Sequence, residues 1–120
     1  MKIKPSGISF VVPSIPPSAN HYILHTRTGR HYKSQEAHGF NLLVLAAVQK
    51  LSIRWKHYGV EISIFLGKKQ KLDIDNAAKC TLDALVTTGV IDSDSKVTEL
   101  RMFKSRDLDN PRTVISVWAV

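Results

Sequence analysis

Alternation of apolar and polar side chains predicts four β-strands in this chain. Residues 7–12 and 60–66 place apolar residues at every second position, as a strand with one buried face requires. Pro13 ends the first strand, because proline has no N–H for a strand ladder. Residues 97–103 and 113–120 are similarly apolar, and we expect them to pair as a hairpin across the turn at residues 108–111.

Two further segments have the three- and four-residue spacing of amphipathic helices. The first follows Ser34, a good N-cap, and runs to about residue 51; the second begins near Asp75 and ends before Gly89, a typical C-terminal cap. The elements therefore follow the order β-α-β-α-β-β. This order predicts one small α+β domain spanning residues 1–120, with a small mixed sheet covered on one face by two helices.

The polar, basic and aromatic segment at residues 20–32 has neither period, and we predict a long loop with a turn at Thr28-Gly29. Cations in such a loop can bind phosphates, and its aromatic rings can stack on exposed bases. The DNA-binding candidates here are Asn20, Tyr22, Arg27, Arg30 and Lys33. A solvated loop with a few anchoring aromatic residues explains the same composition equally well.

The formal net charge of +7 favours a polyanionic partner. Lys68, Lys69 and Lys71 are concentrated directly before two aspartates, which indicates a basic surface positioned for DNA. A charged turn is the simpler alternative.

Cys80 is the single cysteine, so it cannot form an intrachain disulfide, and we interpret it as a small buried side chain. This fits a reducing, cytoplasmic location. The longest apolar run, residues 42–48, is far shorter than a membrane span, and the first residues lack a secretory signal. We therefore expect no membrane association.

Carboxylates are concentrated around the second predicted helix. Asp73, Asp75 and Asn76 stand where a strand gives way to that helix, and these residue types commonly cap a first turn. However, Asp75, Lys79 and Asp83 recur every four residues and so lie along one side of the helix. This row borders the apolar stripe, where side chains reach a cleft, and the spacing favours a functional site over simple capping.

A second acidic loop, Asp92-Ser93-Asp94, follows the far end of the same helix. Carboxylates converging from two loops and a helix are suited to Mg²⁺, with Mn²⁺ as a substitute. Zinc is less favoured, because His21 and His25 have a ligand-like spacing but lie in a predicted loop.

The spelling Asp107-Leu-Asp109-Asn110 repeats the earlier acidic motif. We interpret it as a turn, because Pro111 disfavours helix at Asn110 and no lysine follows four residues after Asp109.

The acidic motifs resemble those of the RusA-type Holliday junction resolvases. The resemblance rests on Asp73-Ile-Asp75-Asn76, Lys79, Asp83-Ala-Leu85, Gly89 and Asp94 followed by Val97, and upstream on Pro16-Pro17-Ser18-Ala19-Asn20 with Tyr22. It covers roughly residues 10–102.

The resemblance implies that Asp73, Asp75 and Asp94 bind the metal ion. Lys79 would then orient the attacking water or neutralise charge on the scissile phosphate. Asn76 and Asp83 would support these groups, with Asp83 pairing with Lys79 or else forming a surface salt bridge.

One departure from the family concerns the second acidic loop. The family usually carries two adjacent aspartates here, whereas alignment on Val97 gives Asp94 the ligand position and replaces its acidic neighbour by Ser93. The role of Asp92 is left open by this alignment.

The function predicted from these features is that of a Mg²⁺-dependent endonuclease that resolves four-way DNA junctions by paired cuts, in recombination and repair. The alternative is a non-catalytic basic DNA-binding protein. Acids beside the most basic stretch favour the enzyme, since they would repel DNA unless a cation lay between them. A nucleotide phosphohydrolase ranks last, because the chain has no glycine-rich phosphate loop, and we expect no organic cofactor.

A homodimer is the predicted working unit, because two cuts in a two-fold symmetric junction need two sites, and the resemblance implies the same assembly. Two surfaces are candidates for the contact: the strand at residues 113–120, which is more apolar than one sheet face needs, and the exposed side of the helix at residues 34–51. Alternatively, Trp118 and its neighbours complete the monomer core.

Overall fold

The computed structural model describes residues 7–17, 23–25, 31–33, 35–48 and 54–120. The strands are β1 (Gly7–Val12), β2 (Ile23–His25), β3 (His31–Lys33), β4 (Tyr58–Leu66), β5 (Val97–Arg106) and β6 (Arg112–Ala119), and the α-helices are α1 (Gln35–Val48) and α2 (Ile74–Thr87). A short 3₁₀ helix, Asp94–Lys96, precedes β5.

Four strands form the main sheet in the order β1-β6-β4-β5, and β2 pairs with β3 separately. β6 is antiparallel to both of its neighbours, whereas β5 is parallel to β4. A mixed sheet with two α-helices confirms the predicted α+β class and element order.

The alternating strands give the main sheet one buried face. Ile115 of β6 lies between Phe10 of β1 and Ile62 of β4, and none of the three is more than 9% exposed. Val44 of α1 and Leu85 of α2 are fully buried in the same apolar cluster. Removing this apolar surface from water is the main driving force for folding, and it fixes both helices on one face of the sheet.

The predicted hairpin of β5 with β6 is wrong, because β4 lies between these strands. β5 pairs with β4 in parallel, from Tyr58 beside Val97 to Leu66 beside Arg106. Most side chains of β5 are exposed, which suits an edge strand, whereas β6 is buried on both faces and needs a neighbour on each side. The need to bury both faces of β6 therefore determines its neighbours, although β5 is closer to it in sequence.

Residues 107–110 form a turn, as predicted. The Asn110 N–H donates to the Asp107 carbonyl at 3.2 Å, and an Arg112 guanidinium nitrogen lies 2.8 Å from the Asp107 carboxylate. The Asp-x-Asp-Asn motif at this point therefore forms a turn that reverses the chain.

The segment predicted as a loop at residues 20–32 contains strand structure instead. Ile23 pairs with Lys33 and His25 pairs with His31 in an antiparallel register. Each strand has only three residues, which is too short for alternation to reveal it. Several predictions lie outside the described residues: Asn20, Tyr22, Arg27, Arg30, the turn at Thr28-Gly29, the Ser34 cap and helix residues 49–51.

Trp118 is buried within a single chain, on the sheet face opposite the helices. It is 4% exposed, and its ring packs so closely on Gly59 that a Cβ added there would collide with it. The Arg101 guanidinium lies 6.0 Å from the ring centroid. Since β6 is flanked by β1 and β4, it is not an edge to which a second copy could add a strand.

Cys80 is 3% exposed, which confirms its interpretation as a small buried side chain. Among the described residues, no helix has both the length and the apolar character needed to cross a membrane.

Candidate active site

A tight turn after β4 delivers the chain to the acidic end of α2. The Gly67 N–H donates to the Gln70 side-chain oxygen at 2.6 Å, and Lys69 has a φ of 63°, which side chains other than glycine rarely adopt. Leu72 is then buried at 6% exposure. The turn leaves Lys68 and Lys69 exposed at the surface, while Leu72 anchors the residue before Asp73 in the core.

Asp73 occupies the N-cap position of α2, but its side chain makes no capping hydrogen bond. Its backbone carbonyl accepts from the Ala77 N–H at 2.9 Å, while its carboxylate accepts from the Asn76 side-chain amide at 3.3 Å. Asp75 lies exposed in the first turn of the helix. The structure thus brings Asp73, Asp75 and Asn76 together at one exposed end of α2, where the helix dipole favours negative charge.

Lys79 is exposed one helical turn after Asp75. A residue four positions along a helix lies on the same side, so its ammonium group can serve the same site. Asp83, one further turn away, is partly buried.

A cleft with a volume of about 360 Å³ opens beside Asp73. Lys71 lines it from the turn, and Lys104 and Arg106 line it from the end of β5. The Lys104 ammonium donates to the Leu72 carbonyl at 2.9 Å, and the Arg106 guanidinium donates to the Gly67 carbonyl at 3.0 Å. These two hydrogen bonds tie the end of β5 to the turn that carries the aspartates.

Sequence reasoning missed Lys104 and Arg106 as members of this region. The expected hairpin placed them away from the turn after β4, whereas parallel pairing brings the ends of β4 and β5 to the same sheet edge. No local signal marked this end of β5, because residues 103–106 read Phe-Lys-Ser-Arg and are all exposed, so apolar alternation does not extend to them.

Asp94 lies at the opposite end of α2. The helix has 14 residues, so its ends are about 21 Å apart at roughly 1.5 Å per residue. Asp94 begins the 3₁₀ helix that leads to Val97, and Val97 pairs with Tyr58 at the start of β4. Within the described part of one chain, no three Asp, Glu, His or Cys side chains are grouped closely enough to hold a metal ion. One chain by itself therefore does not bring Asp94 to Asp73 and Asp75.

Asp92 has a role in holding the loop of Asp94. Its carboxylate accepts a hydrogen bond from the Tyr58 hydroxyl at 2.9 Å and pairs with the Lys96 ammonium at 2.6 Å. The hydrogen bond from Lys96, with a smaller contribution from Tyr58, lowers the pKa of Asp92. Both carboxylate oxygens are engaged in this way, which leaves Asp94 as the better ligand candidate.

Ser93 stabilises the same loop from within. Its hydroxyl accepts from the Ser95 N–H at 3.2 Å and caps the 3₁₀ helix. Ser93, which stands where the resolvase family usually has a second aspartate next to the ligand position, therefore stabilises the loop.

The family model described as Endodeoxyribonuclease RusA matches residues 13–118 of the 120-residue chain. The matched span includes the acidic end of α2, the Asp94 loop and the cationic cleft. No curated protein matches the chain.

Proposed function

The chain belongs to the RusA endodeoxyribonuclease family, whose members resolve Holliday junctions, and from that premise we propose a Mg²⁺-dependent resolvase that makes paired cuts. Its role would lie in DNA recombination and repair in the cytoplasm, with residues 1–120 acting as one nuclease domain. The family match favours this enzyme over a non-catalytic DNA-binding protein.

The donor chemistry at α2 suits the proposed metal. Asp73 and Asp75 offer hard carboxylate oxygens, and Asn76 already donates to one of the Asp73 oxygens, which orients that group. Mg²⁺ prefers such ligands and retains several waters, so few protein groups suffice. When bound, the ion would activate water and stabilise charge on the departing oxygen. Mn²⁺, with similar ligand preferences, would substitute for it.

Lys79 would supply positive charge that the ion does not. Placed one turn after Asp75, its ammonium would neutralise charge on the scissile phosphate or orient the attacking water. Such electrostatic stabilisation is typically worth several kcal/mol in the transition state, on the order of 3 kcal/mol for one preorganised donor. Asp83, one turn further along the helix, would position Lys79.

Asp94 would complete the site from a second copy of the chain. The roughly 21 Å length of α2 keeps Asp94 from Asp73 and Asp75 in one subunit. A two-fold axis crossing α2 near its midpoint would set two such helices antiparallel. The acidic end of each helix would then meet Asp94 of the partner subunit, and two equivalent sites would form.

This arrangement gives the homodimer a chemical reason as well as a symmetry reason. Resolution of a four-way junction into two duplexes needs two cuts, and a two-fold dimer carries two sites. A monomer would lack a complete ligand set. Dimer formation and metal binding would therefore depend on each other.

The DNA would approach over the basic turn before α2. Lys68, Lys69 and Lys71 lie exposed beside Asp73, and their charges would bind the phosphate backbone of a junction arm. The other candidates from the sequence, Asn20, Tyr22, Arg27, Arg30 and Lys33, would also contact the DNA.

The observation that carries the proposal is the pairing of a family match over residues 13–118 with two exposed carboxylates beside a cationic cleft. Incubation of a labelled four-way junction with Mg²⁺, with EDTA, and with EDTA followed by excess Mg²⁺ tests it. We expect symmetric paired cuts with Mg²⁺, none with EDTA, and recovery after Mg²⁺ is restored. Cleavage unaffected by EDTA would contradict the metal requirement.

A further inference from the structure

We propose that the cationic cleft beside Asp73 is a binding subsite for a backbone phosphate of the cleaved strand, adjacent to the scissile phosphate. Lys104 and Arg106 would be its ligands together with Lys71, and Ser105 lines the same space. The inference rests on the proposed nuclease function and adds β5 to the parts of the fold that contact DNA.

The charge of the cleft calls for an anion. Three cationic side chains line it against the single carboxylate of Asp73. Among the described residues, neither Lys104 nor Arg106 forms an ion pair with an acid. Like charges held together repel, and a bound phosphate would relieve this repulsion.

The two cations of β5 that line the cleft, Lys104 and Arg106, are held in place before any ligand binds. Lys104 gives one N–H to the Leu72 carbonyl, and Arg106 gives one to the Gly67 carbonyl. An ammonium group has three N–H donors and a guanidinium group has five, so each retains donors for a phosphate. Anchored side chains lose less rotational freedom on binding than mobile ones.

The position of the cleft specifies which phosphate it would bind. Lys104 bonds to the carbonyl of Leu72, the residue directly before Asp73, so the cleft adjoins the carboxylates. A phosphate held at the carboxylates is the scissile one. The phosphate in the cleft would therefore be a close neighbour of it on the same strand, and binding there would fix the register of the cut.

The test is a double-mutant cycle that combines the loss of one cationic side chain of the protein with the neutralisation of one phosphate of the DNA. Junctions with one neutral methylphosphonate at each of the positions flanking the cut are bound, without divalent metal, by the wild type and by Lys104→Gln and Arg106→Gln. Glutamine retains an N–H donor and removes the charge. Arg101→Gln is the matched control, because Arg101 lies on the same strand but over Trp118 on the opposite sheet face.

The proposal predicts that the two changes, in the protein and in the DNA, are coupled at one phosphate position. There, neutralising the phosphate should weaken wild-type binding about tenfold and should weaken Lys104→Gln or Arg106→Gln binding little further. Each of these variants should also lower the slope of log affinity against log salt by about 0.9, whereas Arg101→Gln should not. Lys104→Arg should restore the wild-type pattern, which a purely structural role of the Leu72 contact would not require.

The proposal would be overturned if the losses of affinity from the protein variant and from the neutral phosphate were independent at every phosphate position. Equal effects of Lys104→Gln and Arg101→Gln on binding would also overturn it. Thermal unfolding of each variant separates a misfolded protein from a weakened subsite. The cycle measures binding and not cleavage. If the wild-type protein binds junctions but does not cut them, the proposed nuclease function is wrong, and the cycle still shows whether the cleft binds a phosphate.

Discussion

Tyr58 and Asp92 are joined by a hydrogen bond of 2.9 Å between the hydroxyl and the carboxylate. Tyr58 is the first residue of β4 and is fully buried, whereas Asp92 is exposed in the loop that carries Asp94. The Tyr58 hydroxyl also accepts from the Trp55 N–H at 3.1 Å. A buried strand residue thus fixes the loop of a proposed metal ligand.

Tyr58→Phe should destabilise the protein and impair cleavage. The change leaves the Trp55 N–H without its acceptor and takes one donor from Asp92, and an unsatisfied group of this kind typically costs about 1–3 kcal/mol. Urea unfolding followed by tryptophan fluorescence measures the loss. Cleavage should fall more than junction binding, because the Asp94 loop is released while the basic turn is unchanged. Wild-type stability and wild-type cleavage together would show that the hydrogen bond holds nothing in place.

Lys96→Gln should reduce stability near neutral pH but not in acid. Lys96 lowers the pKa of Asp92 from its ordinary 3.8, so the folded state favours the charged carboxylate. That contribution is present above the ordinary pKa and disappears as pH falls through the lower value of the folded state. The difference in urea midpoint between the wild type and Lys96→Gln should therefore shrink between pH 7 and pH values below about 3.8. A difference that stays constant with pH would contradict this ion pair as its source.

Asp75→Asn should abolish cleavage of a four-way junction and leave binding unchanged or tighter. The substitution removes a charge that repels DNA but keeps the size of the side chain, and the amide is a poor replacement for a Mg²⁺ ligand. Gel shift and cleavage are measured on the same preparation. If Asp75→Asn cuts at the wild-type rate, Asp75 serves only the first turn of α2.

Replacement of Lys68, Lys69 and Lys71 together by alanine should weaken binding to every DNA sequence alike. Each phosphate contact that is lost should lower the log-log salt slope by about 0.9, because fewer counterions are released. Filter binding at several salt concentrations gives the slope, with Arg101→Gln as a control from the opposite sheet face. An unchanged slope would return these lysines to the role of a charged turn.

Local patterns made most of the fold predictable. The alternation of β1 and β4 and the helical periods of α1 and α2 reflect burial of neighbouring residues, so they can be found in a short stretch of sequence. The grouping of Asp73, Asp75 and Asn76 was predictable for the same reason, since one helical turn holds them.

Non-local pairing could not be predicted in the same way. Whether β6 pairs with β5 or inserts between β1 and β4 depends on total burial across the sheet, which no local period encodes. The same pairing of strands determined that Lys104 reaches the Leu72 carbonyl, directly before Asp73. The position of Asp94 depends on the length and direction of α2, and proximity in sequence did not reveal that, in the described part of the chain, Asp94 lies at the other end of this helix from Asp73 and Asp75.

The most direct test of a site shared between two subunits mixes two inactive variants, Asp75→Asn and Asp94→Asn, in one dimer. Differently tagged chains are co-expressed, and the heterodimer is isolated through both tags and assayed on a labelled junction with Mg²⁺. If each site combines Asp75 of one subunit with Asp94 of the other, one site carries both changes and the second is intact. With a shared site, the heterodimer should cut one strand, whereas neither homodimer should cut any. A heterodimer as inactive as both parents would contradict the shared site and place all the ligands within one chain.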